Sequence, residues 1–398
     1  MTLLLDPDTT SAPSLLTPTG RRHWTGAGPD AEPWLATAAA LVPQLAADAD
    51  RLDETGEFPH AAFDRFRELG VPAMLVPAEL GGGGASHATA GAFLAQLAHG
   101  CPSTSLALSM HLHLVAAQVW RHHRDLPAPV LAKVADAQLI LVSTGASDWI
   151  DSNGSATKVD GGYRVTGRKM PASAAPAGNL VVSSIRWEAP DGPQVLHFAV
   201  PFSADGVSID ETWDATGMRA TGSHTVVFED VFVPDAAVSL MRPAGEWHPV
   251  WSTVLGAALP LIMSTYVGLA ESAAGQALTL AARRAERPDV APLVGRMLTQ
   301  LTIARDAVGA MFAASDDLHF DNDLALASSV LTRRTVAGNA AIETVRLALE
   351  VGGGAAYARG SGLGRLLRDV HGALYHPLPE AQQERFTGRV ALGLDPVA

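Results

Sequence analysis

The sequence predicts an α+β fold, a small β domain held between two helical ones, and three observations carry that prediction. Apolar residues recur at helix spacing over residues 31–137, give way to short β-rich runs over 138–240, and return to helix spacing over 241–398. The 398 residues have room for two or three domains at the usual scale of about 150 residues each. Hydrophobic residues make up 47% of the chain and charged residues 17%, so a large packed core is expected.

In chain order, residues 1–30 are rich in Pro, Thr and Gly and read as a flexible N-terminal arm. The stretches AEPWLATAAALVPQLAADADRL, FPHAAFDRFRELG, HATAGAFLAQLAHG and TSLALSMHLHLVAAQVWRHH are helices by apolar spacing. GVPAMLVPAELGGGGAS lies among them; its glycines 81–84 follow no strand-to-helix turn, so they read as a loop and not as a nucleotide fingerprint. LILVST, YRVTGRK, NLVVSSI, VLHFAVPF and TVVFEDVFVP are short strands separated by Gly, Pro, Asp and Asn. The last belongs to WDATGMRATGSHTVVFEDVFVP, a Gly-Met-Arg turn joined to a half-buried hairpin whose apolar positions are Val226, Phe228, Val231 and Val233. Helices then resume through residues 264–286, 292–318 and 324–352.

Composition excludes several functions. The chain has 28 Lys+Arg against 41 Asp+Glu, and a formal charge of −13 repels a nucleic-acid backbone. Cys101 is the single cysteine, so there is no intrachain disulfide and no thiolate metal site, and no His/Asp/Glu set has metal spacing. Residues 249–270 carry no formal charge and reach the roughly 20 residues that span a bilayer. They also contain Pro260, Tyr266 and several hydroxyls, and read as the central helix of a soluble core. The single cysteine fits a reducing, cytoplasmic setting, and the absence of a basic segment before the few apolar residues at the start argues against a signal peptide.

The 213–234 segment resembles the middle-domain signature of the acyl-CoA dehydrogenase superfamily of flavoproteins. GVPAMLVPAELGGGGAS is similar to the Gly-Gly loop of its first domain, VDGGYRVTGRKMPASAAPAGNLVV to the strand pair beside its flavin, and ALEVGGGAAYARGSGLGRLLRDVHG to its C-terminal turn and Arg-Asp helix end. The resemblance implies an N-terminal helical domain, a β-barrel-like middle domain and a C-terminal four-helix bundle. It also implies FAD or FMN, and a homo-oligomer, dimer or tetramer, in which the flavin sits against a neighbouring subunit. The apolar helix around Val254 to Leu269 is expected to need that second subunit for cover.

By the same resemblance, Ser143 and Thr144 hold the flavin edge, and Ser173 falls in the loop beside its reactive nitrogen, with Pro171 where dehydrogenases carry a tryptophan. Arg284 takes the place of an arginine that contacts the pyrophosphate of a flavin on a neighbouring subunit, without the Phe-Gly that normally follows, and Glu350, Gly353 and Gly354 resemble the turn that receives the adenine. His111, Trp149 and Trp213 are candidates for the substrate pocket; His111 and His113 point to different sides of their helix.

A dehydrogenase of this family needs a glutamate to take a proton beside the thioester, a contribution of about 10²–10⁴-fold. Alignment of Arg368-Asp369 places Pro377 at one of the two positions for that base, and alignment on Gly268, read as a turn, places Ala258 at the other. His376 instead matches the active-site histidine of flavin-dependent monooxygenases built on this fold, such as dibenzothiophene monooxygenase and the oxygenase component of hydroxyphenylacetate hydroxylase. Those enzymes take reduced flavin from a separate reductase and also carry a serine in the loop matching Ser173. The expectation is therefore an oxygen-activating monooxygenase acting on a small organic substrate with His376 and Ser173 as catalytic residues. Two alternatives stay open: an acyl-CoA dehydrogenase whose base has moved to Glu380 or Asp369, and a catalytically silent flavin-binding or scaffold homologue.

Overall fold

The computed structural model describes residues 24–145 and 148–397. Residues 1–23 of the expected N-terminal arm lie outside the described residues. The first layer holds α1 (Glu32–Thr55), α2 (His60–Glu68), α3 (His87–Ala98), α4 (Pro102–His122) and α5 (Val130–Ala137). Ser86 starts α3 by accepting a hydrogen bond from the Thr89 amide, and Gly56 ends α1 in the left-handed conformation, so both boundaries are written in local chemistry.

The middle of the chain forms one eight-stranded sheet. Its strands are β1 (Leu141–Ser143), β2 (Ser155–Val159), β3 (Gly162–Ala172), β4 (Leu180–Ala189), β5 (Gly192–Pro201), β6 (Val207–Asp210), β7 (His224–Pro234) and β8 (Val238–Pro243). They run in the order β6-β7-β3-β2-β4-β5-β8, with β1 parallel to β4. Strand β7 buries Val226, Phe228, Val231 and Val233, yet a strict two-residue period from Val226 would expose the last two. A bulge resolves this: Val165 and Gly167 of β3 pair with Val231 and Phe228, so β7 spends one extra residue there. Asp230 takes up the bend with φ of 49°, and Phe232 turns outward.

The sheet is pinned by a buried ion pair. Lys169 on β3 donates from Nζ to Asp148 Oδ2 at 2.7 Å, to Ser152 Oγ at 2.7 Å and to the Asn153 carbonyl at 2.9 Å. Every proton of the ammonium is used, which is the condition for tolerating two buried charges. Lys169→Met is expected to destabilise the fold by about 3–5 kcal/mol, because Asp148 is left charged and unpaired. Chemical denaturation checks this, and the double change Lys169→Met with Asp148→Leu should recover most of the loss.

The last layer holds α6 (Val250–Ala281), α7 (Val290–Ser315), α8 (Leu324–Gly352), α9 (Leu363–Val370) and α10 (Glu380–Ala391). The charge-free run expected as a core helix is the greater part of α6, and 94% of its most apolar window is buried within this chain among α3, α4, α7 and α8. Its apolarity is therefore satisfied without a second subunit and carries no argument for one. Gly268 lies in the interior of α6 and not at a turn. It is glycine because α3 crosses there: a Cβ would sit 2.0 Å from the Ala95 carbonyl oxygen.

Candidate functional site

The Gly-Met-Arg turn is the hinge of the site. Gly217 lies against the end of α9, where a Cβ would come within 2.4 Å of the Arg368 carbonyl oxygen. Met218 then adopts a left-handed conformation and donates its amide to Asp369 Oδ1 at 2.6 Å. Asp369 is buried, and burial raises its pKa to about 6. This contact ties the sheet domain to the C-terminal helices, and between them opens a cavity of about 820 Å³.

Its walls have two characters. Leu106 and Met110 of α4 and Val254, Leu255, Leu259 and Ile262 of α6 form an apolar side. The end of β1, the end of β3, the Gly-Met-Arg turn and residues 367–377 form a polar one. Ser143, Thr144, Ser173, Trp149, Trp213 and His376, all picked from sequence, line this one cavity. A second cavity of about 610 Å³ adjoins it across Trp149, Pro171, Tyr375 and Pro377 and ends on Gln382 and Arg385 of α10.

The hydroxyls beside Ser173 form a polarised chain. Thr221 donates to the Met218 carbonyl at 3.0 Å, so its oxygen must accept from Ser223 at 2.6 Å. Ser223 has then used its proton and accepts from Ser173 at 2.8 Å. Ser173 is left with acceptor lone pairs for the cavity. Thr144 is committed to Ser183 Oγ at 2.8 Å.

His376 stands on the loop after α9, half-buried, with Nε2 2.7 Å from the Tyr266 hydroxyl. Arg334 of α8 donates to the carbonyls of Ala373 at 2.6 Å and His376 at 2.7 Å, fixing that loop. Burial, then the Arg334 charge, then His113 push His376 down to about 3, so the ring is neutral at physiological pH.

Other expected residues lie elsewhere. His111 does not line the cavity: its two ring nitrogens bridge the Pro72 carbonyl and the Leu141 amide at 2.9 Å each. His113, two residues on and so on the other side of α4, lines the cavity instead. Burial holds it down to about 4. Arg284, Glu350, Gly353 and Gly354 gather at the C-terminal end of α8, away from the cavity lining. There Arg284 donates to the Val351 carbonyl at 2.6 Å, its guanidinium fills the space a Gly353 side chain would need, and Glu350 pairs with Arg346.

Ala258 and Pro377, the two positions at which the resemblance would place a glutamate, both line the cavity. Among the described residues no Asp or Glu does. Glu380 is outside the lining and accepts from Asn339 at 3.1 Å, and Asp369 is turned to Met218. No group of three or more His, Cys, Asp or Glu suited to a metal occurs among the described residues.

A flavin ring is a flat amphipathic body, and it needs apolar faces, a polar edge and room for its chain. The large cavity supplies the first two, and the adjoining one extends it. Residues present therefore fit the cofactor.

Comparison with known proteins agrees with this geometry. Residues 30–126 match the model of the acyl-CoA dehydrogenase N-terminal domain and 250–374 that of the C-terminal domain. An L-evernosamine nitrososynthase of Micromonospora sp. (strain ATCC 39149 / NRRL 15099 / SCC 1413) is 30% identical over 384 residues, covering 90% of this chain and 89% of that protein. A Bacillus subtilis (strain 168) protein named as an acyl-CoA dehydrogenase is 28% identical, covering 86% and 92%. The solved structure of KijD3 with FMN and a dTDP-linked amino-keto sugar superposes with a TM-score of 0.84 at 29% identity, covering 94% of this chain and 97% of that one.

Proposed function

This chain belongs to the acyl-CoA dehydrogenase family, and from that premise we propose that it is a flavin-dependent monooxygenase acting on a small, uncharged organic molecule. One observation carries the reading: the cavity holds His376 and Ser173 but no carboxylate among the described residues. Desaturation of an acyl thioester needs a base of suitable pKa beside the substrate, and neither the two family positions nor Glu380 or Asp369 provides one. A silent scaffold has no use for a polarised hydroxyl chain ending at a cavity wall. Reduced flavin, when bound, supplies the two electrons that activate oxygen; Ser143, Thr144 and Ser173 would hold its ring.

Each residue then has a task. Ser173 offers an acceptor, which suits the N–H that a reduced flavin ring gains and an oxidised one lacks. The α4 and α6 side chains exclude water and place the substrate. His376 faces the reacting region as a neutral ring.

The relative that binds a dTDP-linked sugar is a poor guide to the substrate here. A diphosphate needs cationic donors. Among the described residues Arg368 is the single Lys or Arg in the lining of the large cavity, already bonded to the Thr216 and Gly364 carbonyls and paired with Asp53, and the adjoining cavity adds one more, Arg385, alongside Asp151. Trp149 and Trp213 flank a space suited to a compact, mostly apolar compound. A cytoplasmic setting, a partner reductase and a dimer or tetramer complete the proposal.

The test is to mix the chain with reduced FMN without oxygen and then admit oxygen. A transient absorbance distinct from both reduced and oxidised cofactor supports the reading. Bleaching of bound oxidised flavin by an acyl-CoA without oxygen would overturn it. Ser173→Ala is expected to shorten the transient by about tenfold, as loss of one buried hydrogen bond of roughly 1–3 kcal/mol implies.

A further inference from the structure

We infer that Tyr266 is a positioning residue that fixes the tautomer of His376, so that the histidine presents its Nδ1–H to the cavity as a permanent hydrogen-bond donor. This deepens the reading above, and rests on it only for what the donor meets.

Tyr266 is fully buried in α6, and its hydroxyl lies 2.7 Å from His376 Nε2. Among the described residues that ring nitrogen is the one hydrogen-bond partner of the hydroxyl. A buried phenol must place its proton on an acceptor, so Tyr266 donates and Nε2 accepts. In a neutral imidazole the proton is then on Nδ1. The one hydrogen bond of the ring among the described residues is that at Nε2, and the ring lines the cavity.

Groups on every neighbouring element hold the pair in this state. On α8 the Arg334 guanidinium is locked to the Ala373 and His376 carbonyls and opposes a second positive charge on the ring. On α4 His113 adds to this only in acid, once it is itself protonated. On α6 burial, helped by Asp369 of α9, raises the Tyr266 pKa well beyond its ordinary value, so the phenol keeps its proton. His376 therefore does not shuttle protons. It steadies negative charge that develops in the cavity, with a strength that does not vary over the pH range in which a free histidine titrates.

Nuclear magnetic resonance of the full chain carrying ¹⁵N-labelled histidine tests this with no flavin bound, His376 being identified by the signal lost in His376→Gln. The expected spectrum has protonated Nδ1 and bare Nε2, unchanged from about pH 5.5 to 8.5. Tyr266→Phe keeps the ring in place and should shift the tautomer ratio toward Nε2–H by about tenfold. It should also raise peroxide released per flavin oxidised, with flavin affinity little changed. A wild-type signal with protonated Nε2, or a ring that titrates near its ordinary pKa, overturns the inference without any variant. Failure of the oxygen reaction with a fixed Nδ1–H tautomer would instead count against the monooxygenase reading alone.

Discussion

His376→Ala is expected to lower substrate oxygenation by about 10²-fold while flavin oxidation continues and peroxide is released. The size follows from removing one preorganised donor from a water-poor site, a loss of roughly 2.7–4 kcal/mol where such donors have been deleted. Ser173→Ala should cost less, because Ser223 and Thr221 keep that wall polar. His376→Gln retains an N–H donor and should recover part of the loss, whereas a proton carrier could not be replaced by an amide. The alanine variant also leaves the Tyr266 hydroxyl buried without its partner, a penalty of about 1–3 kcal/mol in stability. Product and peroxide yields, measured together against flavin consumed, check the expectation. Equal product yield in wild type and His376→Ala would remove His376 from the chemistry.

The order of helical, sheet and helical parts was legible because each rests on a local period. Strands β2, β6 and β8 carry weak local signals: β2 is mostly polar and half-exposed, β6 alternates but is an edge piece of four residues, and β8, also at an edge, loses its alternation at Leu240-Met241. On β7 the four apolar positions were found by composition, while the bulge that reconciles them with a two-residue period depends on pairing with β3. In the site, Ser173 and His376 sat in recognisable motifs. Tyr266 did not, since its partner is 110 residues away and it lies in a helix read only for its apolarity. A lone phenol in a charge-free run was the available signal. Whether His111 or His113 faces the cavity depends on which side of α4 meets the sheet, and two residues on a helix differ by about 200°. Arg284 packs on Gly353 and bonds the Val351 carbonyl while Glu350 pairs with Arg346, all near the end of α8 and outside the cavity lining, and a role toward a neighbouring subunit's flavin depends on a surface that no local period encodes.

Mild acid is expected to unfold this chain, with the midpoint temperature falling steeply as pH drops from about 6.5 toward 4. Five histidines decide it. Burial holds His87, His111 and His113 down to about 4, and His197 and His376 to about 3. A depressed pKa means that the unfolded chain takes up protons first, so the stabilisation is present above about 6.5 and is lost as pH falls through the folded values. Each group contributes on the order of 3–5 kcal/mol, and even half of that from all five is comparable with a typical stability of about 5–15 kcal/mol. Asp369 works the other way. Its pKa is raised to about 6, so its contribution is present below about 3.8 and lost as pH rises through 6. One such carboxyl cannot offset five histidines, but it should blunt the fall slightly between pH 4 and 6, and Asp369→Asn should remove that blunting while keeping an acceptor for the Met218 amide. Calorimetric scans across pH 4–8 measure both effects. A midpoint that stays flat from pH 7 to 4.5 would mean that the buried histidines take up protons without cost, and with that the neutral state argued for His376 would fall as well.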